Sequence, residues 1–135
     1  MTKQTQAARP SIGRTVDLPF DETLARVEEA LEREKFGVLT RIDVQATLKK
    51  KLDVDFPPFQ ILGACMPPMA HKALVADPEI AIMLPCNVVV RGLEGGTTRV
   101  EVVNTGTMAQ MFPAAGIEEV ASTVGRHLER VLDSV

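Results

Sequence analysis

The sequence predicts an α+β fold, a single domain in which two long helices cover one face of a mainly antiparallel sheet. Three observations carry that prediction. Short runs of alternating apolar and polar residues mark several strands, and two well-separated stretches carry apolar residues at helical spacing. A chain of 135 residues with 45% hydrophobic content is also long enough to bury one sizeable core, and short for two ordinary domains. A frayed tail is expected over 1–10 and one domain over 11–135, because no linker, repeat or low-complexity tract interrupts the latter span.

The first strand is expected from Ile12 to Leu18, where Ile12, Val16 and Leu18 are apolar and Thr15 and Asp17 polar, with Pro19 ending it. Asp21 is a candidate N-cap for a helix to about Lys35, since Leu24, Val27 and Leu31 fall at i, i+3 and i+7. Gly37 breaks that pattern. Val38, Thr40, Ile42 and Val44 then alternate with Leu39, Arg41 and Asp43, as in a half-buried strand. Leu48 and Leu52 lie one turn apart with Lys49, Lys50 and Lys51 near the C-terminal end, which predicts a short helix stopped by Pro57 and Pro58.

Phe59 to Cys65 reads as a buried strand, and Pro67 or Pro68 opens the next helix, where a missing amide hydrogen costs nothing. That helix is expected to run to Asp77-Pro78. Ile80 to Val90 is almost continuously apolar but interrupted by Pro85, which implies a bulge, an edge or a break between two strands. Leu93 to Gly96 forms a turn, and Thr97 to Val103 pairs back on 86–91 as a hairpin. The last helix is the clearest, with Ile117, Val120, Ala121, Val124, Leu128, Val131 and Leu132 on one face and Gly125 a local weakness.

Composition narrows the functional classes. A net charge of −3 and a pI near 5.4 argue against a nucleic-acid binder, which needs an excess of Lys and Arg on one face. With no Trp, no Tyr and five Phe, base-stacking platforms are not expected either. No run approaches about 18 uninterrupted apolar residues, and the first ten residues lack the apolar core of a secretory signal. The expectation is a cytoplasmic protein without membrane or nucleic-acid partners. The two cysteines do not suggest a disulfide framework.

Several short motifs occur in one order: Phe-Gly-Val-Leu-Thr-Arg-Ile-Asp-Val (36–44), Leu-Lys-Lys-Lys-Leu (48–52), Ile-Leu-Gly-Ala-Cys (61–65), Ala-His-Lys-Ala-Leu (70–74) and Leu-Pro-Cys-Asn-Val-Val-Val (84–90). Over roughly residues 12 to 135 the chain resembles the bacterial and archaeal domain-of-unknown-function family 302. The resemblance implies a TATA-binding-protein-like β-α-β(4)-α fold with one curved antiparallel sheet, helices on a single face and short extra helices between strands. It also implies a homodimer, and no activity. Two positions depart from the family pattern: Met66 stands where Asn is usual, and Arg41 where an acidic residue is common.

The most informative segments are Gly-Ala-Cys-Met-Pro-Pro (63–68) and Leu-Pro-Cys-Asn (84–87). Cys65 precedes a helix entrance whose free amides and dipole favour a thiolate, His71 lies about one turn into that helix, and Cys86 follows Pro85. If strands 59–65 and 80–90 are neighbours, the sulfurs come close. Cys65, His71 and Cys86 are therefore candidate metal ligands, and with Met66 and Asn87 they are the candidate ligand-binding set. A Cys/Cys/His trio suits zinc with an open position, and thioethers of Met66 or Met69 shift preference toward Cu(I) or haem iron. No motif specifies a cofactor.

Plainer explanations stand beside these. Free cysteines commonly pack as small hydrophobes, and Cys-x20-Cys matches no standard zinc spacing. Methionines 66, 69, 83, 108 and 111 are expected to line the core or a cavity. His127, at the edge of the last helical stripe, is expected to be half-buried with a backbone partner. Lys49, Lys50 and Lys51 with Arg41 are expected to form a solvated face, and Gly95-Gly96 a hairpin turn with no helix to present amides to a phosphate. The leading expectation is a small domain binding a small ligand or soft metal near Cys65, His71 and Cys86. The alternatives are a thiol-redox protein or enzyme using Cys65, and a homodimeric interaction module without catalysis.

Overall fold

The computed structural model describes residues 9–135. Residues 1–8 of the expected tail lie outside the described residues. Among the described residues, five strands form one open sheet: β1 (Ser11–Val16), β2 (Gly37–Asp43), β3 (Phe59–Cys65), β4 (Cys86–Gly92) and β5 (Thr98–Val103). Their spatial order is β1-β5-β4-β3-β2, and every neighbouring pair is antiparallel. The helices are α1 (Phe20–Arg33), α2 (Val44–Leu52), α3 (Pro67–Ala76), α4 (Thr105–Met111) and α5 (Ile117–Asp133), with a 3-10 helix at Pro78–Met83.

The sheet has one covered face because its central strands alternate. Leu62, Val88 and Val102 stand in register across β3, β4 and β5, as do Val90 and Val100 on the last two, and all are fully or almost fully buried. They meet Val27 and Leu31 of α1 and Leu128 and Val131 of α5 in a single core. The expected architecture of two long helices on one face of an antiparallel sheet is thus observed. Arg14, polar in an otherwise apolar inward row, donates to the carbonyl of Leu132 at 3.1 Å, in the last turn of α5.

Element ends differ from expectation for identifiable reasons. The α1 cap is Pro19, not Asp21: Asp21 and Glu22 sit in the first turn, where carboxylates suit the dipole, while the Thr23 hydroxyl donates to the Pro19 carbonyl. The same helix ends in a Schellman motif without glycine. Lys35 adopts φ 70°, its amide donates to Glu32 and that of Phe36 to Leu31. Val44 is not the last residue of β2 but the first of α2, because the Asp43 carboxylate accepts from the Ala46 amide. β1 stops at Val16, two residues short of Leu18.

The apolar span from Ile80 divides at Pro85, with a 3-10 helix before it and β4 after it, joined through a cis Leu84-Pro85 peptide. The hairpin of β4 and β5 forms as expected, and Gly95 and Gly96 take φ 82° and 81° in its turn. α4 was not expected. Its Asn104 cap accepts from the Gly106 amide, and the same residue holds the chain's approach to β1, donating to the carbonyls of Arg9 and Pro10.

Gly125, a poor helix former, has a packing reason in α5. A Cβ there would sit 2.6 Å from the Thr105 hydroxyl oxygen, and that hydroxyl donates to the Ala121 carbonyl at 2.7 Å. The missing side chain lets α4 lie against α5.

Candidate functional site

The cavity of interest forms where the end of β3, the start of β4 and helices α3, α4 and α5 meet. Met66 is the cap residue of α3, with Pro67 and Pro68 in its first turn, so the chain turns sharply from Cys65 into the helix. The helical period then sorts the side chains of α3: Met69, Ala70, Ala73 and Leu74 line the cavity. Across from them stand Met108 and Thr105 of α4 and Val120, Ala121 and Val124 of α5. The space, partly open to solvent, is about 350 Å³.

Its chemistry is uniform. None of the described lining residues carries a charged side chain, and both cysteines and three of the six methionines of the chain line it: Cys65, Met66, Met69, Cys86 and Met108. The Thr105 hydroxyl is committed to Ala121. Cys86 lies opposite Ala64 in the β3–β4 register, so Cys65 is one residue along from its partner. Both thiols are free, Cys65 half-buried and Cys86 buried. Burial, with a smaller contribution from the charge of a Cys65 thiolate, pushes the Cys86 thiol from an ordinary 9.0 up to about 11. Cys86 is therefore a neutral thiol at physiological pH.

Of the residues singled out in the sequence, Cys65, Met66 and Cys86 come together on this wall; His71 and Asn87 do not join them. His71 is exposed on the opposite stripe of α3 and lines a separate shallow hollow with Lys72, Val75 and Glu119. Asn87 is exposed and lines another hollow with Ile82, Met83 and Val103. Among the described residues, no three His, Cys, Asp or Glu side chains are grouped so as to hold a metal ion.

The remaining sequence features resolve differently. Met108 is buried and Met111 is 60% exposed, so that pair shares no site. His127 has a carboxylate partner rather than a backbone one: its Nδ1 lies 2.8 Å from Glu34 Oε1, which also accepts from Arg130 Nε at 2.8 Å. The Arg130 hydrogen bond, then that of His127, holds the Glu34 carboxyl below its usual range. Lys49 pairs with Asp53 and Asp55, and Arg41 with Glu28, so two of the four members of the basic cluster are paired in place. No described helix is long and apolar enough to cross a membrane.

Phe36, Leu39 and the α5 residues also line the cavity and were not marked as site residues by the sequence. The one available signal was the apolar stripe of α5, whose cavity-facing and core-facing members look alike.

Comparison with known proteins agrees with this fold. The family model for "Domain of unknown function DUF302" matches residues 12–135. A crystal structure of an uncharacterized conserved DUF302 protein from Bacillus stearothermophilus is 31% identical, covers 94% of this chain and 98% of that one, and superposes with a TM-score of 0.84. No curated protein matches. The chain belongs to the DUF302 family.

Proposed function

We propose that this DUF302 domain is a binding protein whose cavity takes a small uncharged molecule. The observation that carries this reading is the 350 Å³ apolar space beside Cys65 and Cys86, walled without a charged side chain. Ligand sites begin at roughly 300 Å³, and an apolar cavity of about 150 Å³ suffices for benzene. An ionised ligand would lose its hydration here without gaining a partner. The metal form of the reading has less support, because His71 faces another hollow.

The test is titration with the uncharged dye N-phenyl-1-naphthylamine, followed by its fluorescence. Saturable one-to-one binding is expected, and Ala73→Phe, which fills the space from α3, is expected to abolish it while leaving the circular dichroism spectrum unchanged. Binding that is non-saturable, or indifferent to Ala73→Phe, sinks the proposal.

A second reading, the homodimeric module, is favoured by the outer sheet face. Ile42, Ile61 and Val89 stand in register there, on the side away from Leu62 and Val88, and Ile42 is 48% exposed. A contiguous apolar row of this kind suits a protein partner. Sedimentation equilibrium at micromolar concentration would give twice the chain mass of 14.7 kDa, and a stable monomer would remove this reading.

A further inference from the structure

We infer that the molecule held in the cavity is aromatic, an uncharged system of about two fused rings gripped by the thioethers of Met66, Met69 and Met108. The inference rests on the binding reading above and names its ligand class. Size comes first. A space of about 350 Å³ is a little more than twice the cavity of about 150 Å³ that accommodates benzene, which matches a bicyclic ligand.

Charge and polarity come next. No described wall residue is Asp, Glu, Lys, Arg or His, the one hydroxyl is already bonded to Ala121, and the thiols of Cys65 and Cys86 are weak donors. The wall therefore selects against ions and strongly polar groups.

The sulfurs then discriminate among apolar ligands. Five of the seventeen lining residues bear sulfur, and small residues such as Ala70, Ala73 and Ala121 leave open the space those sulfurs frame. An aliphatic occupant would be served equally well by leucine. A thioether gains specifically from an aromatic ring, by roughly two- to tenfold in affinity per contact, and it adapts its shape to a flat ligand.

Naphthalene and decalin, nearly equal in size but aromatic and saturated respectively, separate these effects. Dissociation constants for the wild-type chain are measured by calorimetry and referenced to each compound's partition between water and hexadecane. Naphthalene is expected to show a preference of at least about fivefold after that correction. In M66L/M69L/M108L, which conserves volume, the preference is expected to vanish while decalin still binds, and decalin binding itself shows that the variant is folded. If the triple variant fails to fold, M69L alone is expected to lose about two- to tenfold for naphthalene.

Equal corrected affinities in the wild type overturn the inference and leave the binding reading standing. Failure of both compounds to bind removes the binding reading itself. 2-Naphthoate binding as tightly as naphthalene would also overturn the inference, as would one equivalent of Ag(I) excluding naphthalene, which would reassign the sulfurs to a soft metal.

Discussion

Strands β4 and β5 present two faces that handle ionisable groups in opposite ways. On the inner face Cys86 is surrounded by apolar side chains, and burial holds it protonated up to about 11. On the outer face Glu101 accepts from Arg91 Nε at 3.0 Å and lies 3.6 Å from Arg99 Nε; the Arg91 hydrogen bond is the largest influence holding its carboxyl below the usual range. The same hairpin thus keeps one titratable group neutral by exclusion and another ionised by pairing. Burial alone does not decide the sign of a shift; the partners available at that depth do.

The largest test of this contrast compares adjacent residues on β3. Leu62→Ala, at a fully buried inner position, is expected to cost about 2–5 kcal/mol, and Ile61→Ala on the outer face about 1 kcal/mol or less, by urea denaturation. Comparable costs would break the two-face description. Next is the alkaline limb. A thiol raised in the folded state contributes stability that is complete below the unfolded value near 9 and is lost as pH rises toward about 11. The full loss is about 3 kcal/mol, and Cys86→Ala is expected to flatten that slope relative to wild type whatever it does to absolute stability.

Gly125→Ala is expected to cost about 1–2 kcal/mol despite the better helix propensity of alanine, since its Cβ displaces the Thr105 hydroxyl from Ala121. Combined with Thr105→Ala, the second substitution should cost much less than alone; additive costs would show that α4 is not pinned at this point. The smallest effect is expected for Glu101→Gln, about 1 kcal/mol or less at neutral pH and weaker in salt. Its pH signature is the mirror of Cys86: the stability Glu101 supplies is present above the unfolded carboxylate value and lost as pH falls through the lowered folded one. An unchanged acid limb in Glu101→Gln would deny the pairing any role.

Much of this architecture is legible in the sequence where one periodicity dominates. The alternation at Val88 and Val90 against Val100 and Val102 marks the hairpin, and the stripe from Ile117 to Leu132 marks α5. The juxtaposition of Cys65 and Cys86 follows from strand adjacency. What fails is phase. α3 is apolar on two sides, with Met69 and Leu74 on one stripe and Val75 on the other, so nothing local indicates that His71 turns away from the cysteines. α4 is also hidden, because its seven residues include two threonines and a glycine, and it persists through its Asn104 cap and its contact with Gly125. Likewise Lys35 carries no mark of its left-handed conformation, which the burial of Phe36 enforces from outside the segment.

Asn104 has a mechanical consequence. Its side-chain oxygen secures the first turn of α4, its side-chain nitrogen holds Arg9, and its main-chain amide holds Pro10. One residue therefore splices the roof of the cavity to the chain's entry into the edge strand β1. Any outward swing of α4 must pull on that entry, so the exchange rate of the Asn104 amide with deuterated solvent is a gauge, placed outside the cavity, of how often its roof lifts.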